Sequence, residues 1–215
     1  MEDTVSLTLP PNATAPTQWR ENPGLTPAML SHAAWVTHDV AATAEFYTRI
    51  MGMELASTVI GPNVSSTGDD FPYFHIFFRM GDGSTIAFFE VPGLPERAEV
   101  AHAGYKIFDH IALQVGSTAE VERWHDWLTA NGIDVVGPTP HDGMIYSIYF
   151  SDPNGMRLEI TTPTDPDWNN HTEEGRKDLA WWCEAKEAAR ASSEPLKEVM
   201  RRMIEGRSPS LPENA

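Results

Sequence analysis

Cysteine is almost absent: Cys183 is the one thiol in 215 residues, which excludes an intrachain disulfide and leaves packing and hydrogen bonding to hold the fold. Basic residues are scarce as well, with 15 Lys and Arg against 31 Asp and Glu and a formal net charge of −16. A field of that sign repels a phosphate backbone and an anionic bilayer, so neither nucleic acid nor membrane is expected as a partner. Long apolar runs are missing too. The most apolar pieces, Tyr73–Phe78 and Ile86–Phe89, fall far short of the roughly 20 residues that cross a bilayer. The chain opens Met1-Glu2-Asp3, without a basic stretch ahead of an apolar one, and a cytoplasmic protein is expected.

What the chain does have is enough apolar residues, 41%, to bury a core, and a length a little beyond one ordinary domain. It also repeats itself. His32-Ala33-Ala34-Trp35-Val36 predicts a strand, Asp39 a helix cap, Val40–Met51 an amphipathic helix closed by Gly52, and Met53–Val59 a second strand. The pattern returns 78 residues after His32. His110–Val115 predicts a strand, Ser117 with Glu120 a capping box, Thr118–Ala130 a helix closed by Gly132, and Ile133–Val136 a strand. Each half then ends in two strands joined by a turn: Phe74–Met80 and Thr85–Val91 in the first, Met144–Ser151 and Met156–Thr161 in the second. The fold class is therefore α+β, with two βαβββ modules at 30–92 and 108–162. Residues 1–29, rich in Pro, Thr and Asn, predict an extended arm, and 163–215 a helical arm whose second helix follows a Ser193 cap and stops at Gly206.

Two modules of this order resemble the vicinal oxygen chelate superfamily, which includes glyoxalase I, fosfomycin resistance proteins, bleomycin-binding proteins, an epimerase and the extradiol dioxygenases. The resemblance covers about residues 30–162 and implies a half-open barrel around a metal site, in a homodimer or higher homo-oligomer. Within it, Thr139-Pro140-His141, Ile148-Tyr149, Phe150-Ser151, Asp152-Pro153-Asn154-Gly155 and Glu159 resemble the signature of the type I extradiol ring-cleavage dioxygenases. His32 and His110 share one place in their modules, and Glu159 stands four residues beyond Gly155. Two imidazoles and a carboxylate make the facial triad that suits non-haem Fe(2+), with Mn(2+) as the other ion in view. The resemblance gives His141 and Tyr149 the acid–base work and implies a catechol-like aromatic substrate cleaved with O2, in aromatic catabolism. Ser84 falls where such enzymes carry a further histidine, and His75 on the neighbouring strand is the expected substitute. Glu90, three residues past the counterpart of Glu159, is expected to face away from the site. The competing readings are a metal-dependent glyoxalase or epimerase-type lyase or isomerase, and a non-catalytic resistance protein that binds a small molecule.

Overall fold

A computed structural model describes residues 24–96, 102–141 and 143–206. Most of the expected N-terminal arm, 1–23, lies outside the described residues. The chain divides into two compact units, Met1–Glu96 and Arg97–Ala215. Among the described residues no helix is long and apolar enough to cross a membrane.

The first unit runs β1 (His32–Thr37), α1 (Val40–Glu45), a π-helical turn (Phe46–Ile50), β2 (Glu54–Gly61), β3 (Tyr73–Arg79) and β4 (Thr85–Glu90). Its sheet has the order β1-β4-β3-β2, with β1 parallel to β4 and the other neighbours antiparallel. Asp39 starts α1 by accepting the Ala42 N–H at 2.9 Å, and the Glu90 carboxylate accepts the Val40 N–H at 2.6 Å. Glu90 is thus committed to the helix start, on the opposite side of β4 from Ala87. Behind the sheet, Tyr47 stacks on Phe78 with centroids 5.2 Å apart and leans on Phe88 at 5.0 Å. Together with Phe46, Met51, Ile76 and Ile86 these rings form the core of the unit. Each fully buried side chain of this kind contributes roughly 1.5–3 kcal/mol.

The second unit opens with a short helix, α2 (Ala103–Phe108), and repeats the pattern as β5 (Ile111–Gln114), α3 (Thr118–Ala130), β6 (Val136–His141), β7 (Ile145–Ser151) and β8 (Arg157–Pro163). The sheet order is β5-β8-β7-β6, again with one parallel pair, β5 and β8. Ser117 Oγ accepts the Glu120 N–H, and the Glu120 carboxylate reaches back to the Gly116 N–H at 2.6 Å, so the expected capping residues do start α3. Val121 and Leu128 of α3 are buried, as are Ile148, Phe150, Leu158 and Ile160 on one face of the sheet α3 packs on.

Two expected boundaries are corrected. The strand after α3 is not Ile133–Val136 but Val136–His141, so His141 ends a strand and pairs with Ile145 instead of riding a loop. Gly137, Pro138 and Pro140 read as breakers, yet β6 is the edge strand and its pairing with β7 is interrupted between Val136 and Thr139, which leaves room for residues that cannot donate to a ladder. Ser193 does not start the last helix. It closes α4 (Thr172–Ser192) in a left-handed conformation, φ 59°, and α5 follows over Leu196–Gly206.

Candidate metal centre

Strand alternation sorts the second sheet into an apolar face under α3 and a polar face. Arg157, Glu159 and Thr161 on β8 share the polar face with Ser147 and Tyr149 on β7, because Tyr149 pairs with Glu159 and Ser147 with Thr161. Glu159 is only 2% exposed. A buried carboxylate needs charge-bearing or hydrogen-bonding partners, and both of its oxygens have them. Oε2 lies 2.8 Å from His110 Nε2, and Oε1 accepts the Tyr149 hydroxyl at 3.2 Å.

His110 is fixed from its other side. Its Nδ1 lies 2.8 Å from the Phe108 carbonyl, which can only accept, so Nδ1 carries the hydrogen. A neutral ring then presents a bare Nε2 lone pair to a carboxylate oxygen at 2.8 Å. Two acceptors at that distance require a proton between them, on either group, or a metal ion beside them. Metal-ligating histidines are commonly held in this way, through one ring N–H on a backbone carbonyl. The spacing fits as well. Donors about 2.1 Å from a common cation and at right angles stand about 3.0 Å apart. The pair therefore suits a divalent ion that accepts imidazole and carboxylate, the donor set expected for Fe(2+) or Mn(2+).

Tyr149 extends the pair into a chain. Its hydroxyl is 2.8 Å from His141 Nε2 as well as 3.2 Å from Glu159 Oε1. One hydrogen cannot serve both, so with Tyr149 donating to Glu159 the His141 Nε2–H donates to the phenol oxygen. Burial, then the Glu159 charge, raises the Tyr149 pKa above that of an ordinary phenol. The hydroxyl stays protonated near neutral pH and keeps its donor. Arg157 covers the ring, its guanidinium carbon 4.3 Å from the centroid.

The matching face of the first sheet is aromatic. Register pairs Ala34 and Phe77 with Ala87, as it pairs Ala112 and Tyr149 with Glu159, so Ala87 is the counterpart of Glu159 and Phe77 that of Tyr149. His32, exposed at the start of β1, meets the Phe77 ring edge-on at 5.8 Å and the His75 ring at 6.4 Å. His75 stacks on Phe89 at 3.5 Å, and its Nε2 is buried without a hydrogen-bond partner. Burial, helped by the charge His32 acquires, lowers its pKa to about 4. A ring that neutral at physiological pH can donate or accept one hydrogen bond but cannot supply a cation. Ser84 is spent on its own turn, donating to Asp82 Oδ1 at 2.6 Å.

The expected residues thus fall into two sets. His110, Glu159, Tyr149 and His141 form one connected network in the second unit, while His32 and His75 belong to the first. Among the described residues no three His, Cys, Asp or Glu side chains form a group that could hold a metal. Sequence reading passed over Arg157, although alternation from Glu159 puts it on the same face, and it passed over the carbonyl of Phe108, which no side-chain pattern signals.

Comparison with known proteins agrees with this architecture. Metallothiol transferase FosB of Staphylococcus haemolyticus is 24% identical over 154 residues, covering 71% of this chain and 96% of the relative. The solved glyoxylase/bleomycin resistance protein/dioxygenase domain from Frankia sp. EAN1pec shares 16% identity at a TM-score of 0.52, covering 64% of this chain and 99% of that one. The fosfomycin resistance protein FosX from Listeria monocytogenes shares 23% identity at a TM-score of 0.49, covering 66% and 99%. The family model of the Glyoxalase/Bleomycin resistance protein/Dioxygenase superfamily matches residues 29–160, more than half of the chain. The chain, built of two βαβββ modules with an imidazole–carboxylate pair on the second, belongs to that superfamily.

Proposed function

We propose that the protein is a divalent-metal-dependent transferase or lyase acting on a small chelating substrate, and not a ring-cleaving dioxygenase. The observation that carries the reading is the His110–Glu159 contact, an imidazole nitrogen 2.8 Å from a buried carboxylate, with the ring fixed through Phe108. His110 and Glu159 would hold the ion. A divalent cation bound there would polarise a substrate oxygen and favour its ionised form. The chain's own residues then manage the proton. Tyr149 holds a hydroxyl hydrogen against Glu159 Oε1, and His141 Nε2 backs the phenol oxygen at 2.8 Å, so a proton taken up or released at the phenol has a path through the imidazole.

The curated relative is named a metallothiol transferase, which supports group transfer to a small molecule over oxygen chemistry. Ser84, bound into its turn, offers no substitute for the absent acid–base histidine of ring cleavage. Cleavage of a catechol with O2 keeps one supporting observation, the His141–Tyr149 contact at the signature positions.

Metal titration and anaerobic assays test the proposal. Protein loaded with Mn(II), Ni(II) or Co(II) is expected to turn over glutathione hemithioacetals, or to add a thiol to an epoxide, without oxygen. The metal should be lost in His110→Ala and Glu159→Gln. Oxygen uptake with catechols by the Fe(II)-loaded protein, or no metal bound by the unaltered chain, would overturn it.

A further inference from the structure

Among the described residues Arg157 is a cation without a counter-ion. Six of the eight described arginines have a carboxylate within ion-pair distance; Arg157 and Arg190 do not, and of these two only Arg157 is half-buried. In a chain with 31 acidic residues that is not for want of carboxylates. Its Nε is buried and has no hydrogen-bond partner among the described residues. The stack on Tyr149 engages the flat face of the guanidinium at 4.3 Å and leaves its edge, which carries the N–H donors, unengaged by that ring. The stack also holds the group in place, so that little side-chain freedom is lost when the edge meets a ligand.

Its position says where such a ligand would lie. Arg157 and Glu159 alternate onto one face of β8, two residues and so roughly 7 Å apart along the strand. A small molecule with one oxygen beside His110 and Glu159 can reach the guanidinium edge with a group two or three bonds away. A planar fork of N–H donors suits an oxyanion, which accepts two of them at once.

We propose that Arg157 is an anion-binding residue of this site, so that the substrate is a small carboxylate or phosphonate whose charged end pairs with the guanidinium edge. The proposal rests on the metal-site reading above and names its substrate class. It also accounts for a half-buried cation beside a site that otherwise gathers a carboxylate, a phenol and two imidazoles.

Calorimetric titration of the whole chain tests it, metal-free and Mn(II)-loaded, with malonate, with phosphonoacetate, and with malonamide as the uncharged control. The unaltered protein should bind both acids and prefer malonate to malonamide, more weakly as salt rises. Arg157→Gln should lose about ten- to hundredfold in affinity for both acids, with Mn(II) binding and malonamide binding unchanged. Arg157→Lys, which keeps the charge and loses the fork, should fall between. Equal binding of malonate and malonamide by the unaltered chain overturns the proposal, as does a folded Arg157→Gln variant that binds both acids as before. If Arg157→Gln does not fold, Arg157→Lys decides: undiminished affinity for both acids overturns it, and a loss of threefold or more supports it. Failure of the metal reading would look different, with acids bound by the metal-free chain and Mn(II) not bound at all.

Discussion

Replacing Tyr149 by Phe removes one oxygen and keeps the ring under Arg157, so its effects can be assigned to the hydroxyl alone. That hydroxyl is the hydrogen-bond donor to Glu159 Oε1 at 3.2 Å, and Glu159 is 2% exposed. Taking it away leaves a carboxylate oxygen in a place that water hardly reaches, and a buried acceptor deprived of its partner costs about 1–3 kcal/mol. In a chain of this size that corresponds to roughly 2–4 °C in Tm per kcal/mol. The same bond orients the carboxylate that would face the ion, and the loss of such a supporting partner lowers metal affinity about 10- to 100-fold. Thermal unfolding of the metal-free Tyr149→Phe variant, with Mn(II) titration by calorimetry, reads both quantities. In a Glu159→Gln background the added cost of Tyr149→Phe should shrink, since the carboxylate it served is gone. Unfolding and Mn(II) affinity indistinguishable from those of the unaltered protein would refute the network, whatever the distances.

Glu90→Ala should lower stability by about 0.5–2 kcal/mol by freeing the Val40 N–H, and should leave Mn(II) affinity unchanged because Glu90 serves the helix start; urea melts and metal titration check the two halves. Gly137→Ala should cost about 1–3 kcal/mol in the same melts, since φ is +111° there and a Cβ would lie 2.8 Å from the Ser147 carbonyl oxygen. His171 Nε2 and Asp165 Oδ2 lie 3.0 Å apart, and each shifts the other: the hydrogen bond to Asp165 raises the His171 pKa, while the backbone bond from Asp167, then His171, lowers that of Asp165. The raised group stabilises the fold at low pH and stops doing so as pH rises through its folded pKa. The lowered group stabilises it above its unfolded pKa and stops as pH falls through its folded one. The contact should therefore act between those limits, and His171→Gln should flatten the pH dependence of melting on the alkaline side and, because His171 is the second cause of the Asp165 shift, more weakly on the acid side.

Counting from turn glycines was enough to read the two modules and the asymmetry between them. Four residues past Gly155 stands Glu159 and four past Gly83 stands Ala87, and strand register makes these two positions counterparts. Period-two strands allow this because a turn fixes the phase of the strand that follows. Phase was lost where the turn was misread. The Gly137-Pro138-Thr139-Pro140 run looks like a loop, but an edge strand has one side with no ladder to feed, and there prolines cost little. His141 falls between the two strands the sequence predicts, Ile133–Val136 and Met144–Ser151, and the structure puts it on a strand, paired with Ile145. Arg157 escaped for a different reason: a lone arginine in a strand is unremarkable until its lack of a carboxylate is known, and that is a fact of three dimensions. The comparison of counterparts carries the argument further. Glu159, Tyr149 and Arg157 of the second module answer to Ala87, Phe77 and Thr85 of the first. At these places one copy of the duplicated sheet carries two charges and a phenol, while the other carries no charge, with Ala87, Phe77 and Thr85 near a neutral His75. The sheet face that buries Glu159 supplies partners for it from the same module, Tyr149 across the ladder and His110 at the head of the parallel strand. That local sufficiency is why proton handling and ion binding are proposed for the second module.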